Sequence, residues 1–180
     1  MEIDTIGSYN TLKATLPALK ESRGAILFVS ATLHYQGTIM QAHVSAAKAG
    51  IDALSQAVAV EFGPFGIRSN VIAPGGITGT EGIDRLMPAE LSERAEKAIP
   101  LQRWGTVDEI ADCTVFIFSE AAKYISGTVF IVDGAAWHTY TFYLASVNVR
   151  SSITTGFPYP EIMFQGQHDL SVTGKKKAKL

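Results

Sequence analysis

Lys48 is the residue whose position in this sequence most directly suggests chemistry. It ends the run His43-Val44-Ser45-Ala46-Ala47-Lys48, inside a stretch where apolar residues recur every three or four positions, as in an amphipathic helix. A lysine beside such a stripe extends over it to reach solvent, pairs with an acid, or takes part in binding or catalysis. One helical turn earlier stands Val44, which has no group that transfers protons. The sequence therefore predicts a lysine site that lacks a titratable partner at that position.

Two other groups could contribute to a site. Asp4 is an acid near the start of the first predicted helix, and the turn Pro74-Gly75-Gly76-Ile77 follows a predicted strand. Ligands of open α/β sheets bind beyond the carboxyl ends of the strands, which makes this turn a candidate binding loop. Each residue also has a structural interpretation. Asp4 could cap its helix, the turn could be only a turn, and Lys48 could be a surface lysine.

The elements that would position these residues alternate along the chain. Glycine-bounded apolar runs predict buried strands at 24–31, 67–73 and 128–132. A helix is predicted over residues 41–62, ending at Gly63-Pro64, and another follows the capping box that opens at Thr106. A shorter helix is predicted to begin at Pro88. Strands separated by helices predict an α/β fold with a Rossmann-like, doubly wound parallel sheet.

The predicted sheet is small, and the start of the chain resembles the middle of a doubly wound fold. The chain enters a helix directly, through about Leu19, and contains no G-x-G-x-x-G turn. We therefore expect the second half of a doubly wound domain, with its N-terminal part truncated. The stretch 139–155 is β-prone but has no clear partner, so an extra strand, an oligomer contact and an insertion foreign to the fold all remain open.

Composition narrows the possible classes of protein. The 180 residues are 47% hydrophobic and 18% charged, which favours a packed core over disorder. A net charge of −2 gives no electrostatic basis for nucleic-acid binding. One cysteine, Cys113, excludes an internal disulfide framework, and no apolar stretch is long enough to predict a membrane span. Acidic residues stand where a signal peptide would be basic. We therefore expect a soluble intracellular protein without a metal site.

The last three residues could form a targeting signal. Ala178-Lys179-Leu180 resembles the Ser-Lys-Leu tripeptide that directs proteins to peroxisomes, and it follows a lysine run that favours exposure. The alternative is an arbitrary basic terminus.

Three motifs together resemble the C-terminal half of the short-chain dehydrogenase/reductase family. They are N-V-I-A-P-G at 70–75, P-L-Q-R-W-G-T-V-D-E-I-A at 100–111 and I-S-G-T-V-F-I-V-D-G at 125–134. The resemblance covers residues 1–137, which gives a predicted domain of 1–137, an irregular extension at 138–174 and a basic tail at 175–180. Ala135 stands where the family usually has a second glycine.

The chain departs from the family at two positions. Val44 replaces the usual catalytic tyrosine, and Ala31 replaces the usual serine. This pattern is similar to that of the peroxisomal 2,4-dienoyl-CoA reductases within the family. Those enzymes share a histidine, then a small or aliphatic residue at the tyrosine's position, followed by S-A-K or A-A-K. They also share the Gly79-Thr80-Glu81-Gly82 motif and an aspartate where relatives have a catalytic asparagine, here Asp4.

That resemblance implies a specific activity. It implies NADPH-dependent reduction of 2,4-dienoyl-CoA to 3-enoyl-CoA in the peroxisomal matrix, with Asp4 and Lys48 as catalytic residues. The expected cofactor-binding residues are Lys48, Pro74, Gly75 and Ile77. The expected partners are a fatty acyl-CoA substrate, an import receptor that reads the tail, and further copies of the chain. The alternatives are another short-chain enoyl-CoA reductase or a catalytically silent fragment.

Overall fold

A computed structural model of the chain describes residues 1–38, 41–86 and 89–139. The expected insertion at 139–155, the extension at 138–174 and the tail at 175–180 lie outside these ranges, apart from residues 138 and 139. No helix among the described residues is long and apolar enough to cross a membrane.

The three predicted strands form one parallel sheet. They are β1 (Ala25–Val29), β2 (Arg68–Pro74) and β3 (Val129–Val132), in the spatial order β1-β2-β3. Val29 pairs with Ile72, and Pro74 pairs with Val132, so the carboxyl ends of all three strands meet at one edge. The expectation of an α/β fold with a parallel sheet is confirmed.

Helices connect and flank the strands. A π-helical turn at Glu2–Ile6 leads into the first helix. The α-helices of the described residues are α1 (Gly7–Ser22), α2 (Leu33–Gln36), α3 (Ala42–Phe62), α4 (Glu81–Leu86), α5 (Ala89–Ala98) and α6 (Val107–Phe118). The predicted capping box is present, since the Thr106 side chain accepts from the Glu109 amide and the Glu109 side chain accepts from the Thr106 amide. Pro88 lies outside the described residues, while α2 and α4 were not predicted from the sequence.

The core lies between α1, α3 and the sheet. Its apolar cluster consists of Leu12, Phe28, Ile51, Val58 and Val71. The first strand, which was expected to be buried, is only partly so, because Val29 at its carboxyl end is 57% exposed. Within β1 only Phe28 is buried, and β1 is an edge strand of the described sheet.

A buried asparagine fixes β3 against β2. The Asn70 side chain is fully buried, donates to the Ile125 carbonyl at 2.9 Å and accepts from the Thr128 amide at 3.1 Å. A buried amide without partners would be costly, so these bonds select one position for the chain that enters β3. They thereby help to align the strand ends at which the candidate site is found.

Candidate active site

Lys48 and Asp4 form an ion pair beside the carboxyl edge of the sheet. Lys48 Nζ lies 2.8 Å from Asp4 Oδ1, and the two side chains are 18% and 38% exposed. The Asp4 carboxylate makes no capping bond to α1, and Lys48 is not a free surface lysine. Of the interpretations that the sequence left open, the structure therefore favours a paired lysine and acid.

Contacts next to each partner hold this pair together. Thr5 follows Asp4 in the π-helical turn, and its hydroxyl donates to the Ala47 carbonyl at 2.9 Å. Ala47 in turn precedes Lys48. Further along α3, Gly50 allows the π-helical turn to approach the helix closely, because a Cβ at Gly50 would lie 2.8 Å from Thr5 Cγ2. The turn therefore presents the Asp4 carboxylate to α3.

Lys48 also reaches the end of β1. Its Nζ donates to the Val29 carbonyl at 3.2 Å. Three residues later, the Thr32 amide donates to the Pro74 carbonyl at 3.2 Å, which links this segment to the end of β2. An ammonium group has three N–H donors. Contacts among the described residues account for two of those on Lys48, so its chemistry fits donation to a further oxygen acceptor.

The Pro74–Ile77 turn is fixed by its neighbours. The Gly75 amide donates to the Val132 carbonyl at 3.0 Å, and a Cβ at Gly75 would lie 2.6 Å from Asp133 Cβ. Gly76 packs against the indole of Trp104, where a Cβ would collide with the ring.

Ile77 lies at the far end of this turn. It forms a parallel bridge to Gly105. Among the contacts of the described residues, none joins Ile77 to Lys48 or Asp4. Residues 29–32 link Lys48 to Pro74, through the Val29 carbonyl and the Thr32 amide, whereas Ile77 is held by Gly105.

The two departures from the family pattern lie near the ion pair. Val44 is half-buried in the first turn of α3, one turn before Lys48, and Ala31 follows β1. Tyr35 in α2 carries a hydroxyl in the same region, but it donates to the Asp52 carboxylate. Burial, reinforced by Asp52, raises the pKa of Tyr35 well above its usual range, so this phenol is a poor acid at neutral pH. Asp4 and Lys48 are therefore the better placed pair for proton chemistry.

Asp52 and its partners His34 and Tyr35 were not predicted from the sequence. Asp52 lies four residues after Lys48 on the same predicted helix, and this spacing could have indicated a second polar group beside the apolar stripe. Within the described ranges, no group of three or more His, Cys, Asp or Glu side chains is placed to hold a metal ion.

Comparison with known proteins identifies the family. Residues 1–135 match a family model described as enoyl-(acyl carrier protein) reductase. A crystal structure of a short-chain dehydrogenase from Bacillus anthracis superposes with a TM-score of 0.67 at 35% identity, covering 74% of this chain and 53% of that protein. The chain belongs to the short-chain dehydrogenase/reductase family.

Two relatives within this family are peroxisomal 2,4-dienoyl-CoA reductases that produce (3E)-enoyl-CoA. The one from Saccharomyces cerevisiae is 57% identical over 143 residues, covering 79% of this chain and 49% of that protein. The one from Danio rerio is 45% identical over 141 residues, covering 77% of this chain and 47% of that protein. This short-chain dehydrogenase/reductase chain thus spans about half the length of the relatives it matches.

Proposed function

We propose that the protein to which this chain belongs is an NADPH-dependent 2,4-dienoyl-CoA reductase of peroxisomal fatty acid oxidation. The observation that carries the proposal is the ion pair between Lys48 of α3 and Asp4 of the π-helical turn. In the same helix, Val44 stands where the family usually has its tyrosine. The names of the yeast and zebrafish relatives support the substrate class. A ketone reductase needs an acid beside the carbonyl oxygen, and Val44 supplies none.

The reaction divides into two additions to the conjugated thioester. When bound, the reduced nicotinamide cofactor supplies a hydride to the far end of the diene. The electron pair then moves toward the thioester, and a proton completes the product at the carbon next to the thioester carbonyl. One double bond remains between the two added hydrogens, so the product is a 3-enoyl-CoA.

Asp4 and Lys48 together suit the delivery of that proton. The carboxylate can accept a hydrogen bond from a water molecule, and the ammonium can donate one to it. A water held by both is oriented and polarised, and it can protonate a substrate carbon without a tyrosine; the hydroxide that remains would be stabilised by the Lys48 ammonium and regain a proton from solvent. The exposed fraction of Asp4, 38%, leaves the carboxylate accessible to such a water.

The residues present also fit one part of a nicotinamide cofactor. Lys48 can donate to Asp4, to the water and to a ribose hydroxyl with its three N–H groups, because the ribose hydroxyl would take the N–H that points at the Val29 carbonyl, 3.2 Å away. The Pro74–Gly75 end of the turn lies at the carboxyl edge where such ligands bind, and the Ile77 backbone is the proposed contact of the carboxamide. We assign cofactor binding to Lys48, Pro74, Gly75 and Ile77 on this basis.

Localisation and assembly belong to the same proposal. The relatives are peroxisomal by name, and Ala178-Lys179-Leu180 resembles the signal read by the peroxisomal import receptor. Those three residues lie outside the described part of the structure. The complete enzyme is proposed to act in the peroxisomal matrix as a homo-oligomer.

A substrate comparison tests the proposed function. The whole protein is assayed with NADPH against a 2,4-dienoyl-CoA, a 2-enoyl-CoA of equal chain length and a simple ketone. We expect turnover of the dienoyl-CoA in clear preference to the other two. Preferred turnover of the 2-enoyl-CoA would favour another short-chain enoyl-CoA reductase, and turnover of the ketone alone would overturn the proposal.

A catalytically silent fragment is the second candidate, favoured by the coverage of only half of each relative. NADPH is titrated into the 180-residue chain by itself, whose sequence has no glycine-rich pyrophosphate turn. The fragment interpretation predicts little binding. Saturable binding with a Kd of about 1 μM, or about −8 kcal/mol, would contradict it.

A further inference from the structure

Asp52 is a buried carboxylate that the proposed reaction does not use. It is 7% exposed, and its Oδ2 lies 2.7 Å from His34 Nε2 and accepts a hydrogen bond from the Tyr35 hydroxyl. A buried carboxylate is costly unless it is paired and hydrogen-bonded. Both of its partners belong to α2, so this acid fastens the four-residue helix α2 to α3.

The fastening point lies close to the ion pair. Asp52 follows Lys48 by one turn of α3 and is rotated from it by only about 40° around the helix axis. Gly50, where the Asp4-bearing turn approaches α3, is about 160° away from Asp52. The π-helical turn and α2 therefore pack on opposite flanks of α3, with Lys48 between them and nearer to α2.

The chain around α2 is also tied to the strand ends. The Thr32 amide, immediately before α2, donates to the Pro74 carbonyl at 3.2 Å. At the other side, the Tyr35 ring lies 6.2 Å from the Trp137 ring, measured between centroids, in the chain that follows β3. These two contacts tie α2 to the chain at the carboxyl ends of β2 and β3, the edge at which ligands of such sheets bind.

We propose that Asp52 is a positioning residue, which holds α2 through His34 and Tyr35 as one wall of the acyl-CoA site beside Lys48. The identity of the substrate rests on the proposed function, whereas the attachment of α2 to α3 does not. Asp52 touches no reacting atom in this arrangement. Its loss should therefore weaken the binding of substrate more than it slows the chemical step.

Two variants of the whole protein test this inference. Asp52→Asn keeps the shape of the side chain and removes its charge, and Tyr35→Phe removes one of the two bonds if the first variant folds poorly. Asp112→Asn, at an exposed acid of α6, is the matched control. The measurements are amide hydrogen exchange at residues 33–36 and the separate values of KM and kcat for a 2,4-dienoyl-CoA.

We expect both variants to speed exchange at residues 33–36 and to raise KM by about tenfold, the effect of one lost charge-assisted hydrogen bond. The kcat should stay within about twofold of the wild-type value. The control variant should change none of the three: the exchange rate at residues 33–36, KM or kcat. Unchanged exchange in both variants would overturn the attachment of α2, whichever substrate the enzyme takes. Faster exchange with unchanged KM, or a loss confined to kcat, would overturn the role in substrate positioning. Failure of the wild-type protein to reduce any 2,4-dienoyl-CoA would instead contradict the proposed function.

Discussion

Lys48 Nζ donates to Asp4 Oδ1 at 2.8 Å across 44 residues of sequence, and a second bond, from Thr5 to the Ala47 carbonyl, lies directly beside it. The two bonds join the π-helical turn to α3. Departures from α-helical geometry often occur at functional sites, and here one delivers a carboxylate to a lysine. The proposed chemistry depends on this pair.

Lys48→Met separates the effect of the pair on activity from its effect on stability. A partly exposed ion pair contributes less than about 1 kcal/mol to the free energy of unfolding, so the variant should fold normally. Loss of a group that positions both water and ribose should lower kcat by about 100-fold or more. Urea unfolding and steady-state assays of the whole protein measure both quantities.

Lys97→Met is the matched control for this experiment, because Lys97 forms an exposed ion pair with Glu93 on α5, at 2.6 Å. It should leave activity unchanged. Equal activity in the Lys48→Met and Lys97→Met proteins would exclude a catalytic role for Lys48.

Gly75→Ala should destabilise the candidate cofactor turn. The added Cβ would lie 2.6 Å from Asp133 Cβ and 3.0 Å from its Cα, so the backbone after β2 or β3 must shift. Overpacking of this kind costs about 1–3 kcal/mol, which urea unfolding can measure. Gly82→Ala is the control, since that helical position is exposed and its Cβ would meet nothing closer than 3.8 Å. Equal stability of the two variants would contradict the tight packing of Gly75.

Much of this arrangement could be predicted from the sequence. The strands, α3 and the capping box follow from apolar periodicity and from turn and capping residues, which act locally. The Lys48–Asp4 contact could only be expected by resemblance, because its geometry depends on how the opening turn packs against α3. The exposure of Val29 and the helix α2 were not predicted. Each depends on which elements pack against it in the fold, which the local sequence pattern does not reveal.

Ala135→Gly should stabilise the chain after β3. Ala135 has a φ of 68°, in the left-handed region, where an L-residue is strained by about 1 kcal/mol. Asp133 holds this geometry, as its carboxylate accepts from the amides of Ala135 and Trp137 at 2.9 Å each. Glycine should relieve the strain and raise the Tm by about 3 °C in a thermal scan. A lower Tm would show that Ala135 is not strained.

Glu109→Gln should remove a pH-dependent contribution to stability. Arg103, together with the Thr106 amide, lowers the pKa of Glu109 from 4.5 to about 2. Because the folded pKa lies below the unfolded one, the contribution is complete above about pH 4.5 and is lost as the pH falls toward 2. The difference in urea midpoint between the wild-type and variant chains should therefore shrink across this range.

Asp112→Asn, at an exposed acid of the same helix, is the control for this titration. A Glu109→Gln difference that stays constant from pH 7 to pH 2 would contradict the lowered pKa.

The most direct test of the proposed mechanism is the kcat of the whole protein for a 2,4-dienoyl-CoA before and after Asp4→Asn. The amide keeps the size of the carboxylate but removes its charge, so it orients and polarises the water poorly. We predict a fall in kcat of about 100-fold with the KM for NADPH little changed. An Asp4→Asn enzyme with wild-type kcat would contradict the central role of the Asp4–Lys48 pair.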